Sequence, residues 1–258
     1  MSGRIKQHGF FLRIEACFVI GAIVSFGFFA VFSGAQDRST TDEHTMSMPM
    51  NEAVSLDEQA KLLSDKLESE FNHHLAGLLV VFAGLLILAE PKAGSRFYAI
   101  RYAWPACFLL AGLFLLVFSD TELWPFGEKS WIRGVAGNPE VLQHKIFAIL
   151  LLGLGLTEFA RTRGRLKAAW AAWIFPFFAV TGSLLLLVHS HDVGMHAPDH
   201  MTLMAHIQKQ HFRFAMIGTA IGVTKGLSEI SKAWRSLFSV LWPALMILLG
   251  FLLMSYTE

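Results

Sequence analysis

Apolar runs at about 16–34, 75–89, 103–118, 146–160, 168–188, 212–227 and 237–254 constrain this chain more than any other feature. A helix needs roughly 20 apolar residues to cross the hydrocarbon of a bilayer, and the run at 146–160 reaches that length only with its flanks. In lipid a spanning segment must satisfy its own backbone N–H and C=O groups, so such runs fold as helices. Composition agrees: 54% of residues are hydrophobic and 16% charged, with a mean hydropathy of +0.49. A soluble domain of 258 residues rarely carries so much apolar content. The expected fold class is an all-α integral membrane protein with about seven transmembrane helices.

The basic residues set an expected orientation. Arg4, Lys6 and Arg13 precede the first run; Lys92, Arg96 and Arg101 follow the second; Arg161, Arg163, Arg165 and Lys167 follow the fourth; Lys225, Lys232 and Arg235 follow the sixth. Alternate loops are acidic or mixed. This predicts a cytoplasmic N-terminus and a periplasmic C-terminus in a bacterial cytoplasmic (inner) membrane. Residues 1–35 read either as a retained helix or as a secretory signal, with Ser33-Gly34-Ala35 as a small-residue cleavage site. Both readings place residues 36–71 outside. Cys17 and Cys107 fall within apolar runs and offer no disulfide framework.

An internal repeat organises the rest. His73, His144 and His211 are each followed eleven residues later by glycine (Gly84, Gly155, Gly222), and then by a run bearing Pro105, Pro176 or Pro243. Histidines and prolines keep the same offsets of 71 and 67 residues, as tandem two-helix units would. The units are expected at about 72–120, 143–191 and 210–258, forming a membrane domain over 72–258. Trp104, Trp173 and Trp242 stand at or shortly before the prolines; Gly112, Gly182 and Gly250 lie six or seven residues after them. Small residues permit close helix approach in lipid. Leu56–Glu68 reads as an amphipathic helix lying on the membrane in the outer linker, with Asn72 capping the next span.

Orientation turns this repeat into geometry. The first helix of each unit starts outside, so His73 or His74, His144 and His211 share the outer boundary, and His189 and His191 return to it. Imidazole is the commonest metal ligand and suits copper, zinc and iron. The loop after the fifth run strengthens that expectation, with six histidines, three methionines and two aspartates in residues 189–211. His200, Met204 and His211 fall on one helical face, His200 and His211 roughly 16 Å apart, which makes a transfer ladder rather than one site. His206 points away and reads as solvated. Met195, His196, His200 and Met204, with His44, Met46, Met48 and Met50 of the outer linker, form a secondary capture set; thioethers select Cu(I). Glu158 and Lys225 lie fourteen residues after His144 and His211 and are expected to pair or to snorkel toward the inner headgroups.

The chain resembles the copper resistance D (CopD/PcoD-like) membrane proteins. The residues behind the resemblance are Asn72-His73-His74, Gln143-His144-Lys145, His189-Ser190-His191 and Gln210-His211-Phe212, over about residues 70–230. It implies copper handling at a bacterial cytoplasmic membrane.

The leading expectation is therefore copper binding for uptake, delivery or tolerance, with the bilayer and a periplasmic copper-binding protein as partners. A redox protein with haem b between His144 and His211 is the second reading. A third is a metal-dependent oxidase or monooxygenase, with Glu70, Asp120 and Asp192 as further ligands. Histidines that merely solvate the interface are the structural alternative. No catalytic nucleophile or phosphate-cradling motif is present, and a net charge of +1 gives no reason to expect nucleic acid.

Overall fold

A computed structural model describes residues 56–93, 97–188 and 200–258. Seven α-helices are formed there: α1 (Leu56–Ala89), α2 (Ile100–Phe118), α3 (Trp131–Gly137), α4 (Pro139–Thr162), α5 (Ile174–Leu186), α6 (His200–Ile230) and α7 (Arg235–Met254). Among the described residues the only extended pairing is an isolated bridge between Leu123 and Lys129.

Local chemistry explains several helix ends. The Asn138 side chain accepts from the Glu140 N–H at 2.9 Å, and Pro139 occupies the first turn of α4, where its missing N–H costs nothing. The same helix stops where Gly164 takes φ +68, a conformation that a Cβ would strain. Pro105 and Pro243 lie inside α2 and α7. Pro176 differs: it sits in the first turn of α5, behind a 3-10 turn over Ala169–Trp173.

The six long helices pack in a closed ring. Its order is α1, α2, α4, α5, α6, α7 and back to α1. All six contribute to one core, with Ala83, Trp104, Cys107, Phe108, Leu154, Phe175, Ile221, Trp242 and Met246 buried together. At its centre the residues immediately before the three prolines meet edge to face. Trp104 and Trp242 are 6.4 Å apart, Phe175 and Trp242 5.1 Å, the arrangement aromatic quadrupoles prefer. Phe175, rather than Trp173, takes the middle place.

Glycines seal the seams. A Cβ on Gly84 would lie 2.8 Å from the Pro243 carbonyl, on Gly222 2.9 Å from the Pro176 carbonyl, and on Gly155 3.0 Å from the Leu109 nitrogen. Gly112 and Gly250 are equally tight, against Leu152 and Ala148 and against Gly77 and Val81. The expected third member, Gly182, is not: its Cβ would meet nothing closer than 3.8 Å, and the neighbouring Ser183 fills that seam against Gly218 instead.

Leucine, phenylalanine and valine side chains are exposed around the outside, among them Phe82, Leu85, Leu110, Leu113, Leu156, Val240, Leu248 and Phe251. A water-soluble protein does not expose such a belt. Five helical segments are long and apolar enough to span a membrane: Gln59–Lys92, Ile100–Phe118, Pro139–Thr162, Ala169–Leu186 and Arg235–Met254. The described residues are all-helical, with the apolar spans of a membrane protein. Of the two other expected spans, 212–227 lies within α6, which is not among those five. The run at 16–34 falls outside the described residues.

One expectation is corrected. Residues 56–68 do not form a helix separate from a span that begins at an Asn72 cap; α1 continues unbroken from Leu56 to Ala89. No proline or glycine occurs between Leu56 and Gly77, so nothing interrupts propagation of the helical ladder.

Candidate functional site

The three repeat histidines stand at one end of the ring, on α1, α4 and α6. Hydrogen bonds tie that end together: the Gln143 amide donates to the Val188 carbonyl at 3.0 Å, and the Gln210 amide to the Thr257 carbonyl at 2.7 Å. In each case the residue before a repeat histidine closes the end of the other helix of its hairpin.

His73 and His211 are brought together. Their rings stack with centroids 5.8 Å apart, and Tyr256, just beyond α7, stacks on His73 at 3.8 Å and on His211 at 5.9 Å. Phe214 closes the group at 6.4 Å from His73 and 6.0 Å from His211. Tyr256 and His211 are almost wholly buried. The Tyr256 hydroxyl donates to Glu258 Oε1 at 2.7 Å, and Ser69 donates to the same oxygen at 2.6 Å. Burial, reinforced by the Glu258 carboxylate, pushes the Tyr256 phenol above the ordinary tyrosine range.

The ring protons can be assigned from their partners, since a carbonyl or carboxylate only accepts. His73 Nδ1 donates to the Ser69 carbonyl at 2.8 Å, and His144 Nδ1 to Asp120 Oδ1 at 2.9 Å. Nε2 is then the basic nitrogen of both rings. His74 is turned the other way, its Nε2 donating to the Tyr256 carbonyl at 3.0 Å.

His144 sits in a buried polar cluster. Lys145 Nζ is 2.6 Å from Asp120 Oδ2 and also donates to the Leu116 carbonyl at 3.0 Å. Ser119 donates to Asp120 at 2.5 Å, and Trp131 lies over the ammonium, 5.3 Å from Nζ to its ring centroid. Burial would raise the Asp120 carboxyl, but the hydrogen bonds from His144, Lys145 and Ser119 outweigh it and hold the group below the usual carboxylate range. Lys145 and Ser119 were not among the expected site residues. For Lys145 the signal in the sequence is a lysine at the mouth of an apolar run; for Ser119 it is only its place before Asp120, an acidic residue fifteen positions after the proline, as Glu258 is.

Among the described residues no group of three or more His, Cys, Asp or Glu side chains is arranged to hold an ion. His189, His191, Met195 and His196, and the linker residues His44, Met46, Met48 and Met50, lie outside the described residues, as does the His200 side chain. Met204 is half-buried on α6, and His206 is exposed there.

At the opposite end Glu158 and Lys225 do not meet directly. Arg161 Nη1 is 2.7 Å from Glu158 Oε1, Arg161 Nη2 is 4.0 Å from Glu229 Oε1, and Lys225 pairs with that same oxygen. Signs alternate along the chain of four, joining α4 to α6. In the sequence Arg161 stands out only as a topology marker, and nothing singles out Glu229.

Compared with known proteins, the chain matches no family model, no curated protein and no solved structure.

Proposed function

We propose that this chain is a bacterial inner-membrane protein that binds a transition-metal ion as cargo at its histidine end, copper before zinc or iron. The observation that carries the reading is the orientation of two repeat imidazoles. His73 and His144 each donate Nδ1–H to a fixed oxygen, the support that metal-ligating histidines ordinarily have. Each would offer a donor through Nε2, and the further ligands would come from residues outside the described ones, because no three described side chains gather round one ion. His189 and His191 follow directly on Val188, whose carbonyl is bound at this end. The methionines of the outer linker and of the loop before α6 would bring Cu(I), for which thioethers are selective, from a periplasmic copper-binding protein.

The architecture belongs to the same proposal: three tandem hairpins after an N-terminal helix or signal, N-terminus cytoplasmic, C-terminus periplasmic. Supporting it are the cyclic packing order, the matched glycine seams and the three pre-proline aromatics at the centre.

The test is metal analysis and visible spectroscopy of detergent-purified protein from copper-supplemented cells. Wild type and His206→Ala should retain copper, His73→Ala and His144→Ala should lose most of it, and no Soret band should appear. Copper absent from wild type, or retained equally by all four proteins, defeats the proposal.

A further inference from the structure

The loop joining α2 to α4 carries apolar surface that neither the ring nor the histidine end uses. Trp124 is 68% exposed, Phe126 55% and Ile132 84%. They do not hang on a loose segment. Trp124 N–H donates to the Lys129 carbonyl at 2.9 Å, Lys129 N–H to the Glu122 carbonyl at 3.1 Å, and Gly127 N–H to the Leu123 carbonyl at 2.8 Å. Trp131 Nε1 donates to the Trp124 carbonyl at 2.6 Å. Leu123, 2% exposed, is the loop's own small core and packs against Gly134. A loop so closed on itself, yet holding its largest apolar side chains outward, is built to present them.

What they face follows from the surface next to them. Phe71 meets Phe114 at 6.1 Å, Phe114 stacks on Phe118 at 5.5 Å, and Phe118 meets Phe126 at 5.0 Å. This row of rings runs off the exposed apolar face of α2, which carries Leu110 and Leu113, and onto the loop without a break. As α2 is long and apolar enough to span a membrane, this exposed apolar face is the one that would meet lipid. Interleaved with the apolar residues are exposed Glu122, Glu128, Lys129 and Arg133, a mixture that fits neither water nor hydrocarbon alone. Tryptophan with flanking charge is the composition that partitions to the headgroup level.

We propose that residues 120–137 form a rigid anchor seated in the headgroup–acyl boundary of the bilayer, with Trp124, Phe126 and Ile132 as its inserted side chains. Through Trp131, bonded to Trp124 and lying over Lys145, the anchor fixes the depth of the Asp120–His144–Lys145 cluster at that boundary. The inference rests on the loop and on the membrane-spanning helices; it does not depend on a bound metal.

Site-directed nitroxide labelling tests it in the full chain in phosphatidylcholine nanodiscs. Labels are placed through Trp124→Cys, Ile132→Cys and, as the polar control on the same loop, Glu128→Cys, each in a Cys17→Ser, Cys107→Ser background. Relaxation by oxygen and by a water-soluble nickel chelate is compared, with circular dichroism checking each fold. Oxygen should dominate at 124 and 132 and nickel at 128, so the depth parameter changes sign between them. Nickel dominance at all three sites puts the loop in water and overturns the proposal. Low access to both reagents at 124 and 132 also overturns it, and dipolar broadening that vanishes on dilution with unlabelled protein would then identify a second copy as the occupant.

Discussion

Lys145 has a side chain only 8% exposed, and its charge is tolerable because Asp120 lies 2.6 Å away. Desolvated ion pairs contribute little net stability, yet removing one partner strands the other. Asp120→Asn should therefore lower stability by about 3 kcal/mol, read as a fall in the thermal midpoint in detergent. Adding Lys145→Met should return most of the loss, and an unchanged midpoint in Asp120→Asn would contradict the pairing. The histidines were legible in the sequence because the repeat marks them. Asp120 and Lys145 were harder to see, since their meaning depends on which helices become neighbours: the end of α2 lies against the start of α4. Tyr256 stands thirteen residues after Pro243, as Phe118 and His189 do after Pro105 and Pro176, but that spacing does not reveal that its ring stacks on His73.

At the scale of the helix, small residues decide how near the backbones come. A Cβ at Gly250 would lie 2.6 Å from the Gly77 carbonyl, whereas one at Gly182 would meet nothing within 3.7 Å. Gly250→Ala should cost about 1–3 kcal/mol through overpacking, while Gly182→Ala should be neutral in the same thermal assay. Equal effects would mean that the α1–α7 seam relaxes freely. The ionic chain at the other end makes a second prediction. Arg161→Leu removes the ion pair of Glu158, whose side chain is 6% exposed, and leaves it only the more distant charge of Lys225, so the midpoint should fall. Glu158→Gln in the same protein should recover it, and failure to recover would show that Arg161 acts by packing alone. The sequence marked Glu158 and Lys225 but not the intervening Arg161 and Glu229, because an i, i+3 or i, i+4 partner competes with a distant one at no cost in chain entropy. It also divided α1 at Asn72. An asparagine read as a cap is overridden when a helix already runs through it on both sides, as here.

For the whole molecule, the runs of apolar residues made the class of fold plain, and five of them lie in helices long and apolar enough to span a membrane. Their cyclic order was not readable, because it depends on which hairpin packs beside which. The proposed orientation predicts labelling from one side. In spheroplasts, with Cys17→Ser and Cys107→Ser as background, a cysteine at Glu128 should react with an impermeant maleimide and one at Arg165 only after lysis; the reverse pattern would invert the topology. One last consequence concerns the 34 unbroken residues of α1. They extend for about 50 Å, against roughly 30 Å of hydrocarbon, and Lys66, Glu68 and Ser69 bond the part before His73 to Glu258 and Thr121. With no proline or glycine between Leu56 and Gly77, there is no hinge to absorb a torque. Any rotation of this helix about its axis would therefore carry His73 with it and strain the bonds to Glu258.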